Sequence, residues 1–194
     1  MMKILIQIGS AEGNDHVTEI IKNQVFDKII LVEPNVKNFK LLQDNYKNYS
    51  NIIFENIAIS TENTKIVLFS EDLDISHHGS MNYMHLLLHG HHPNNIKEVI
   101  CPALTLTSLL EKYNILTSEI EFLFIDTEGH DCDIILSTDF KAINVKNICF
   151  ETSHADGPHT KGKKLENTIN YLNSCGYEVN QNENVDWSLW MVKK

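Results

Sequence analysis

The apolar residues of this chain fall into short runs that alternate with segments of helical spacing. Runs of strand length occupy residues 4–8, 29–32, 122–125 and 147–151. Elsewhere, apolar residues recur every three or four positions, and Phe39, Leu42 and Tyr46 share one face of a helix predicted over 36–46. Strand and helix patterns that alternate in this way predict βα units around a parallel sheet.

The C-terminal part departs from this alternation. A helix predicted over 164–174 ends at Gly176, and two strands are predicted at 177–179 and 187–191. The polar stretch between these strands is too short for a helical crossover, so the strands should pair antiparallel. The remaining patterns predict strands at 51–59 and 65–70 and helices at 106–113 and 131–136.

The segment most informative about function is a strand followed by a turn with two spaced glycines. Gly9 and Gly13 follow the first apolar run, and Glu33 ends the second run about twenty residues later. Glycines allow the backbone to turn sharply and to approach a ligand closely. An acid at this strand tip can accept hydrogen bonds from both hydroxyls of a ribose. Together these residues predict a nucleoside-binding site.

The spacing of the glycines distinguishes between nucleoside cofactors. A dinucleotide site needs G-x-G-x-x-G, because the turn and the following helix must hold a pyrophosphate. This chain has G-x-x-x-G with Ala11 inside the turn. That spacing favours S-adenosylmethionine (SAM), which has no pyrophosphate. A nicotinamide-dependent oxidoreductase remains the alternative, and a comparison of SAM with NAD as ligands separates the two.

Four further segments carry a family resemblance. They are residues 32–35, 56–60, 104–110 and 121–131, the last being an apolar run that ends in acids and a glycine. In this order, from about residue 4 to residue 151, the chain resembles the FkbM family of SAM-dependent methyltransferases. The resemblance implies a class I methyltransferase fold: an α/β, Rossmann-like, mostly parallel seven-stranded sheet with helices on both faces and an antiparallel C-terminal hairpin strand. It also implies O-methyl transfer to a hydroxyl of a sugar or other small molecule.

The resemblance also implies which residues contact the cofactor. They are Gly9, Ser10, Ala11, Glu12, Gly13, Asn14, Glu33, Pro34, Asn35, Asn56, Ile57, Ala58 and Asp126. The expected cofactor is SAM, with S-adenosylhomocysteine (SAH) as its product. Mg²⁺ is not expected, but a mechanism that uses Mg²⁺ on Asp126 and Glu128 remains open, and sensitivity to EDTA separates it from a mechanism that uses only a base. Two positions depart from the family pattern, with Gln7 in place of an acid and Phe124 in place of a lysine. These departures keep open a third interpretation, a non-catalytic SAM-binding protein.

Asp126, Glu128 and His154 are the predicted catalytic residues. In a class I methyltransferase the two acids would lie beside the transferable methyl group, so one can hold the methionine ammonium and the other can bind or deprotonate the acceptor. His154 is the preferred base because the ordinary pKa of histidine is near neutrality, and Asp126 is the alternative. Methyl transfer is an in-line displacement, so the site mainly aligns the reacting atoms and removes one proton.

A histidine-rich stretch lies in the middle of the chain. Its histidines are His77, His78, His85, His89, His91 and His92. His85 and His89 are four residues apart and could share a helix face as metal ligands do, but no acid or cysteine accompanies them, so no metal site is predicted. We expect residues 71–98 to form a mobile lid or substrate loop, and residues 152–164 to form a second loop at the acceptor.

Length, charge and cysteine content limit the number of domains, the kinds of partner and the cellular compartment that we expect. The 194 residues, 42% of them hydrophobic, are enough for a single domain spanning 1–194. The net charge is −10 and there is no arginine, so we expect a small-molecule or glycan partner and no nucleic acid. Four well-separated cysteines indicate a reducing compartment. No apolar window reaches the roughly 18 residues of a membrane span, which predicts a cytoplasmic protein.

Overall fold

A computed structural model describes residues 2–71, 79–115, 119–181, 183 and 187–194. The elements of this part of the chain alternate between strands and helices over most of its length. In chain order they are β1 Ile4–Ile8, α1 His16–Asn23, β2 Lys28–Val32, α2 Val36–Asn45, β3 Ile52–Glu55, β4 Ala58–Ile59, β5 Thr64–Glu71, α3 Tyr83–Leu88, β6 Ile96–Leu104, α4 Leu106–Lys112, β7 Glu119–Ile125, α5 Asp131–Ser137, β8 Asn144–Glu151, α6 Lys163–Ser174, β9 Tyr177–Val179 and β10 Ser188–Lys193.

The main sheet has seven strands in the order β3-β2-β1-β7-β8-β10-β9. Strands β3, β2, β1, β7 and β8 are parallel, whereas β10 pairs antiparallel with both β8 and β9. This confirms the predicted mostly parallel sheet with an antiparallel C-terminal hairpin. Because the order reverses between β1 and β7, the carboxyl ends of these two strands flank a crevice in which α/β proteins bind ligands.

The sheet is buried on both faces, which explains why its central strands are nearly continuous apolar runs. In β1, Ile4, Ile6 and Ile8 pack into one hydrophobic core with α4, α5 and α6 residues, while Leu5 packs into a second core with α1 and α2 residues. Phe124 belongs to the second core, where its ring lies 5.4 Å from the Trp190 ring. The residue that replaces a lysine in the family pattern therefore stabilises the core.

A three-stranded second sheet, in the order β4-β6-β5, lies outside the main one. Its strands β5 and β6 pair antiparallel over their length. The described part of the segment 71–98, which is expected to form a mobile lid or substrate loop, contains α3, a turn of 3-10 helix at Pro93–Asn95 and the start of β6. The strand expected over 51–59 is also divided, because residues 56–57 separate β3 from β4.

The helices that border the crevice begin at side-chain caps. Asp15 accepts hydrogen bonds from the N–H groups of Val17 and Thr18 at the start of α1. Asn35 caps α2 in the same way, as its position before the helical pattern predicts. These caps fix the ends of the loops after β1 and β2.

All four cysteines are buried and free. Within the described ranges no helix has the length and apolar character needed to cross a bilayer.

Candidate active site

The turn after β1 depends on Gly9. Its φ angle is +79°, and a Cβ at this position would overlap the carbonyl oxygen of Asp126 at the end of β7. The N–H groups of Gly9 and Ser10 both donate to the Val32 carbonyl, at 2.9 and 3.0 Å. Glycine is therefore required here because the ends of three adjacent strands approach one another closely.

The carboxyl group of Glu33 lies at the tip of β2 and faces the same turn. Its Oε2 accepts the N–H of Ala11 at 2.8 Å and its Oε1 accepts the N–H of Asn35 at 2.7 Å. The side chain is only 6% exposed, and burial raises the pKa of Glu33 to about 7 against the opposing effect of these two hydrogen bonds. Each oxygen keeps a second acceptor position for a ligand hydroxyl.

A cavity of about 330 Å³ opens in front of Glu33. Gly9, Ala11, Asp15 and Asp126 line the cavity at the ends of β1 and β7, and Pro34, Asn35, Ile57 and Ala58 line its other side. The second sheet covers it, since Ile66 and Leu68 of β5 and Val99 of β6 also reach the cavity. The structure therefore brings together most of the predicted cofactor contacts around one largely apolar space.

Five of the predicted cofactor contacts do not line this cavity: Ser10, Glu12, Gly13, Asn14 and Asn56. Ser10 is buried and its hydroxyl donates to the Gln7 carbonyl. A Cβ on Gly13 would overlap the ring of Tyr46, so this glycine permits close packing on α2. The amide nitrogen of Asn56 donates to the carbonyl oxygens of Glu33 and Pro34, at 2.8 and 3.1 Å, and so holds the loop that carries Glu33.

Asp126 and Asp15 form the acidic end of the cavity. The carboxyl of Asp126 is accessible to solvent from the cavity but is crowded by protein atoms, and desolvation followed by the charges of Asp131 and Glu128 raises its pKa well above the usual value. Oδ2 of Asp15 accepts a hydrogen bond from the Gln7 amide at 2.6 Å. Asp15 thus brings a carboxylate beside Gln7, the position at which the family pattern has an acid.

Glu128 lies on the wall between this cavity and a second one of about 280 Å³. Its backbone has a φ of +54°, and its carbonyl accepts the hydroxyl of Ser80 at 2.8 Å. The second cavity is lined by polar groups, among them Asn82, His85 and His154. Residues of the 152–164 loop therefore contribute to the second cavity, as does the segment before and within α3.

The surroundings of His154 do not match the near-neutral base that the sequence suggests. The side chain is only 6% exposed, and desolvation, followed by the neighbouring His85, lowers the pKa of His154 to about 4. Its Nδ1 accepts the N–H of His159 at 2.9 Å, so the proton of the neutral ring is on Nε2. That nitrogen lies 3.3 Å from Oε1 of Glu151 and 4.0 Å from Oε2 of Glu128. In this arrangement the Nε2–H of His154 faces two acids, and the ring is a weak base.

Three residues of the site carry no clear signal in the sequence. In the sequence, Asp15 is an acid at the start of a helical pattern, Glu151 is the polar end of a buried strand, and His85 is part of a histidine-rich stretch. Burial, followed by the charges of nearby acids, raises the pKa of Glu151 to about 10. His85 is 1% exposed, and its Nε2 lies 2.9 Å from Oε2 of Glu128. The i, i+4 spacing of His85 and His89 was a signal for a shared face, but nothing local indicated that this face would contact His154.

The described part of the 71–98 segment forms one edge of the site. Gly79 and Met81 line the larger cavity, and Ser80 pairs with Phe69 of β5 in an isolated bridge. His77 and His78 lie outside the described residues. This part of the segment thus borders the larger cavity, and its role as a mobile cover over the cofactor stays a prediction.

Comparisons with known proteins were made for the sequence and for the fold. A family model described as the Methyltransferase FkbM domain matches residues 7–179. A crystal structure of methyltransferase FkbM from Methylobacillus flagellatus superimposes with a TM-score of 0.59 at 13% identity, covering 98% of this chain and 43% of that one. This chain thus spans less than half the length of that relative. A search of curated proteins found no significant match.

Two fibrillarin structures have the same fold. That of Aeropyrum pernix, which contains natively bound SAM, superimposes with a TM-score of 0.50 at 12% identity, covering 98% of this chain and 66% of that one. The fibrillarin of Methanococcus jannaschii gives a TM-score of 0.50 at 14% identity, covering 99% and 66%. These likenesses show the class I methyltransferase fold. Since the family model covers most of the chain, the protein belongs to the FkbM methyltransferase domain family.

Proposed function

We propose that this protein is a SAM-dependent O-methyltransferase that methylates a hydroxyl of a sugar or another small molecule. The observation that carries the proposal is the position of Glu128 on the wall shared by two cavities, one suited to a methyl donor and one to a polar acceptor. Methyl transfer requires this arrangement, because donor and acceptor must meet in line at a group that can take up a proton.

The larger cavity has the groups that SAM requires. Glu33 has acceptor positions for the ribose hydroxyls, and Ile57, Ala58 and Pro34 provide an apolar wall for adenine. Asp126 and Asp15 provide carboxylates for the ammonium of the methionine tail. The positive charge of SAM would also favour ionisation of Asp126, whose pKa is raised by burial and by neighbouring acids. The SAM found in the Aeropyrum pernix fibrillarin supports the same choice of cofactor.

The smaller cavity is suited to the acceptor. Its polar lining and its volume of about 280 Å³ correspond to a small hydroxylated molecule or one sugar unit. Asn82 and the ring of His154 offer hydrogen-bonding groups, while Asp156 is already committed to the N–H groups of Gly162, Lys164 and Leu165 at the start of α6. Acceptor specificity then depends on residues before α3 and after β8.

The chemistry of transfer places one demand on the protein beyond alignment. Bound SAM supplies a methyl group on a sulfonium. Asp126 holds the ammonium and fixes the position of the methionine tail. Glu128 accepts the proton of the acceptor hydroxyl, because it faces both cavities and is 20% exposed. His154, which has its proton on Nε2, donates to a carboxylate or to the acceptor oxygen and so orients the reacting groups.

Calorimetry and mass spectrometry test this proposal. Titration of the protein with SAM, SAH and NAD should show binding of the first two and none of the third. Incubation with methyl-labelled SAM and a panel of monosaccharides and glycosides should transfer label to a hydroxyl oxygen. Binding of NAD in place of SAM, or label found on a nitrogen or carbon atom of the acceptor, would contradict the proposal.

A further inference from the structure

We propose that His85, His89 and His154 form a binding site for one transition-metal ion, most suitably Zn²⁺, at the boundary of the smaller cavity. His85 and His89 come from α3 and its C-terminal cap, and His154 comes from the loop after β8. The fold thus brings together three imidazoles that are up to 69 positions apart in the sequence. His85 and His154 both line the smaller cavity.

The distances between the rings fit a metal site that closes on binding. One ligand nitrogen of each histidine lies within 4.8 Å of the others. The ring centroids are 4.2 Å apart for His85 and His89 and 4.4 Å apart for His85 and His154. Nitrogen ligands at about 2.0–2.1 Å from a tetrahedral Zn²⁺ lie about 3.3–3.4 Å from one another. Closure by about 1–1.5 Å, within the reach of side-chain rotation, therefore completes the site.

The hydrogen bonds of His89 prepare it for a metal. Its Nδ1 lies 2.9 Å from the backbone carbonyl of His85, and a carbonyl can only accept, so this nitrogen has the proton. In the neutral ring Nε2 then has the lone pair, so His89 would bind the metal through this nitrogen. A backbone carbonyl that fixes the tautomer of a ligating histidine is the common outer-shell arrangement of metal sites.

His154 is the histidine that must give up a hydrogen bond in order to bind the metal. Its Nδ1 lone pair is directed at the N–H of His159. A metal ion takes this lone pair in place of the N–H, or it binds Nε2 after the ring rotates and gives up the same hydrogen bond. Substitution of His154 should therefore weaken metal binding less than substitution of His89, whose Nδ1 keeps its contact with the His85 carbonyl.

The chemistry of the ligands selects a class of metal. Three imidazoles suit Zn²⁺ and its transition-metal neighbours, whereas Mg²⁺ requires oxygen ligands. Glu128 Oε2 lies 2.9 Å from Nε2 of His85, so a carboxylate stands next to the ligand atoms. Lys164 also lines the cavity, but its Nζ is 2.8 Å from Asp133. A cation at the histidines would offset the charge of the neighbouring acids.

The role of the metal, unlike its binding, rests on the proposed function. Three protein ligands leave one position of a tetrahedral Zn²⁺ open, as in catalytic zinc sites. An acceptor hydroxyl that occupies this position has a lowered pKa and loses its proton to Glu128. The oxygen then forms its bond to the methyl carbon as the carbon–sulfur bond breaks and the electron pair goes to sulfur, which leaves SAH, a methyl ether and protonated Glu128.

Metal binding can be measured without knowledge of the acceptor. The metal-free protein is titrated with ZnCl₂ by calorimetry, and bound zinc is counted after dialysis. One Zn²⁺ per chain is expected, and His85→Ala and His89→Ala should each weaken it by at least about 100-fold. His89 is only partly buried, so His89→Ala keeps the test informative even if the buried His85 is needed for folding. A Co²⁺ absorption spectrum provides a second readout of tetrahedral nitrogen coordination.

The control is the double variant His91→Ala/His92→Ala, which removes two histidines of the same segment and should bind Zn²⁺ as tightly as the wild type. Absence of stoichiometric zinc, or equal losses in the control and in His89→Ala, would overturn the site. Titration with SAM in the presence of a chelator keeps the two proposals apart. Binding of zinc without SAM would reject the proposed function alone, and binding of SAM without zinc would reject the metal site alone.

Discussion

The two cavities that Glu128 lines are built in different ways. The larger one lies at the ends of β1, β2 and β7 under the second sheet. The loops after β1 and β2 that line it are fixed by Gly9, Glu33 and two helix caps. The smaller one is assembled from side chains of α3, the loop after β7 and the loop after β8. In the proposed function, the donor site therefore depends on the fold, whereas the acceptor site depends on side chains particular to this chain.

This difference predicts that substitutions at the two cavities separate cofactor binding from turnover. Changes around Gly9 and Glu33 should act on stability and on SAM. Changes around Glu128 should act on the transfer step.

Gly9→Ala should have the largest effect. The added Cβ would overlap the Asp126 carbonyl and would hold alanine at a φ of +79°. The combined strain and overpacking should lower the free energy of unfolding by about 3–5 kcal/mol and abolish SAM binding. Gly90→Ala is the control, because Gly90 has a φ of +84° and no atom within 4 Å of the added carbon. The free energy of unfolding of Gly90→Ala, measured in urea, should fall by only about 1–2 kcal/mol. Equal losses in both variants would contradict the close approach at Gly9.

Glu128→Gln should lower kcat by about 10²–10⁴-fold, because the amide cannot take up the acceptor proton. The affinity for SAM should stay near that of the wild type. His154→Ala should lower kcat less than Glu128→Gln does, because the neutral ring of His154 has its proton on the nitrogen that faces the acids. Glu98→Gln on β6 is an exposed control. Steady-state rates with the acceptor found by screening provide the measurement, and a fully active Glu128→Gln enzyme would reject Glu128 as the base.

Glu33 should make the stability of the folded protein depend on pH. Its pKa is about 7 in the folded protein against 4.5 for the ordinary carboxyl. The neutral form therefore favours the folded state, and this stability is complete below about pH 4.5 and is lost as the pH rises through 7. The loss amounts to roughly 3 kcal/mol. Urea unfolding at pH 5 and pH 9 should show a smaller difference for Glu33→Gln than for the wild type; an identical pH dependence would place the Glu33 pKa near its ordinary value.

The sequence predicts the larger cavity better than the smaller one for a physical reason. The glycine turn, the acid at the tip of β2 and the cap at Asn35 are local signals, each within a few residues of the structure that it specifies. The contact of His85 with Glu128 and His154 depends on how α3 packs against the loops after β7 and β8. No spacing in the chain encodes that contact.

Local sequence patterns are limited in the same way for the fold, as strand β6 shows. Its sequence, IKEVICPAL, contains a proline and adjacent polar residues, and it becomes a strand because it lies between β4 and β5. The raised pKa of Glu151 and the lowered pKa of His154 likewise result from burial among distant neighbours. Sequence patterns identified the strands of the main sheet and the C-terminal hairpin, whose signals are local.

Calorimetric titration with SAH tests the separation of the two cavities most directly, because it requires no acceptor. Three proteins are compared: the wild type, Glu33→Ala and Glu128→Gln. Loss of the hydrogen bonds from the ribose hydroxyls should weaken SAH binding to Glu33→Ala by about 1–3 kcal/mol, while Glu128→Gln should bind it like the wild type. Unchanged affinity in Glu33→Ala, or an equal loss in both variants, would contradict the assignment of the larger cavity to the methyl donor.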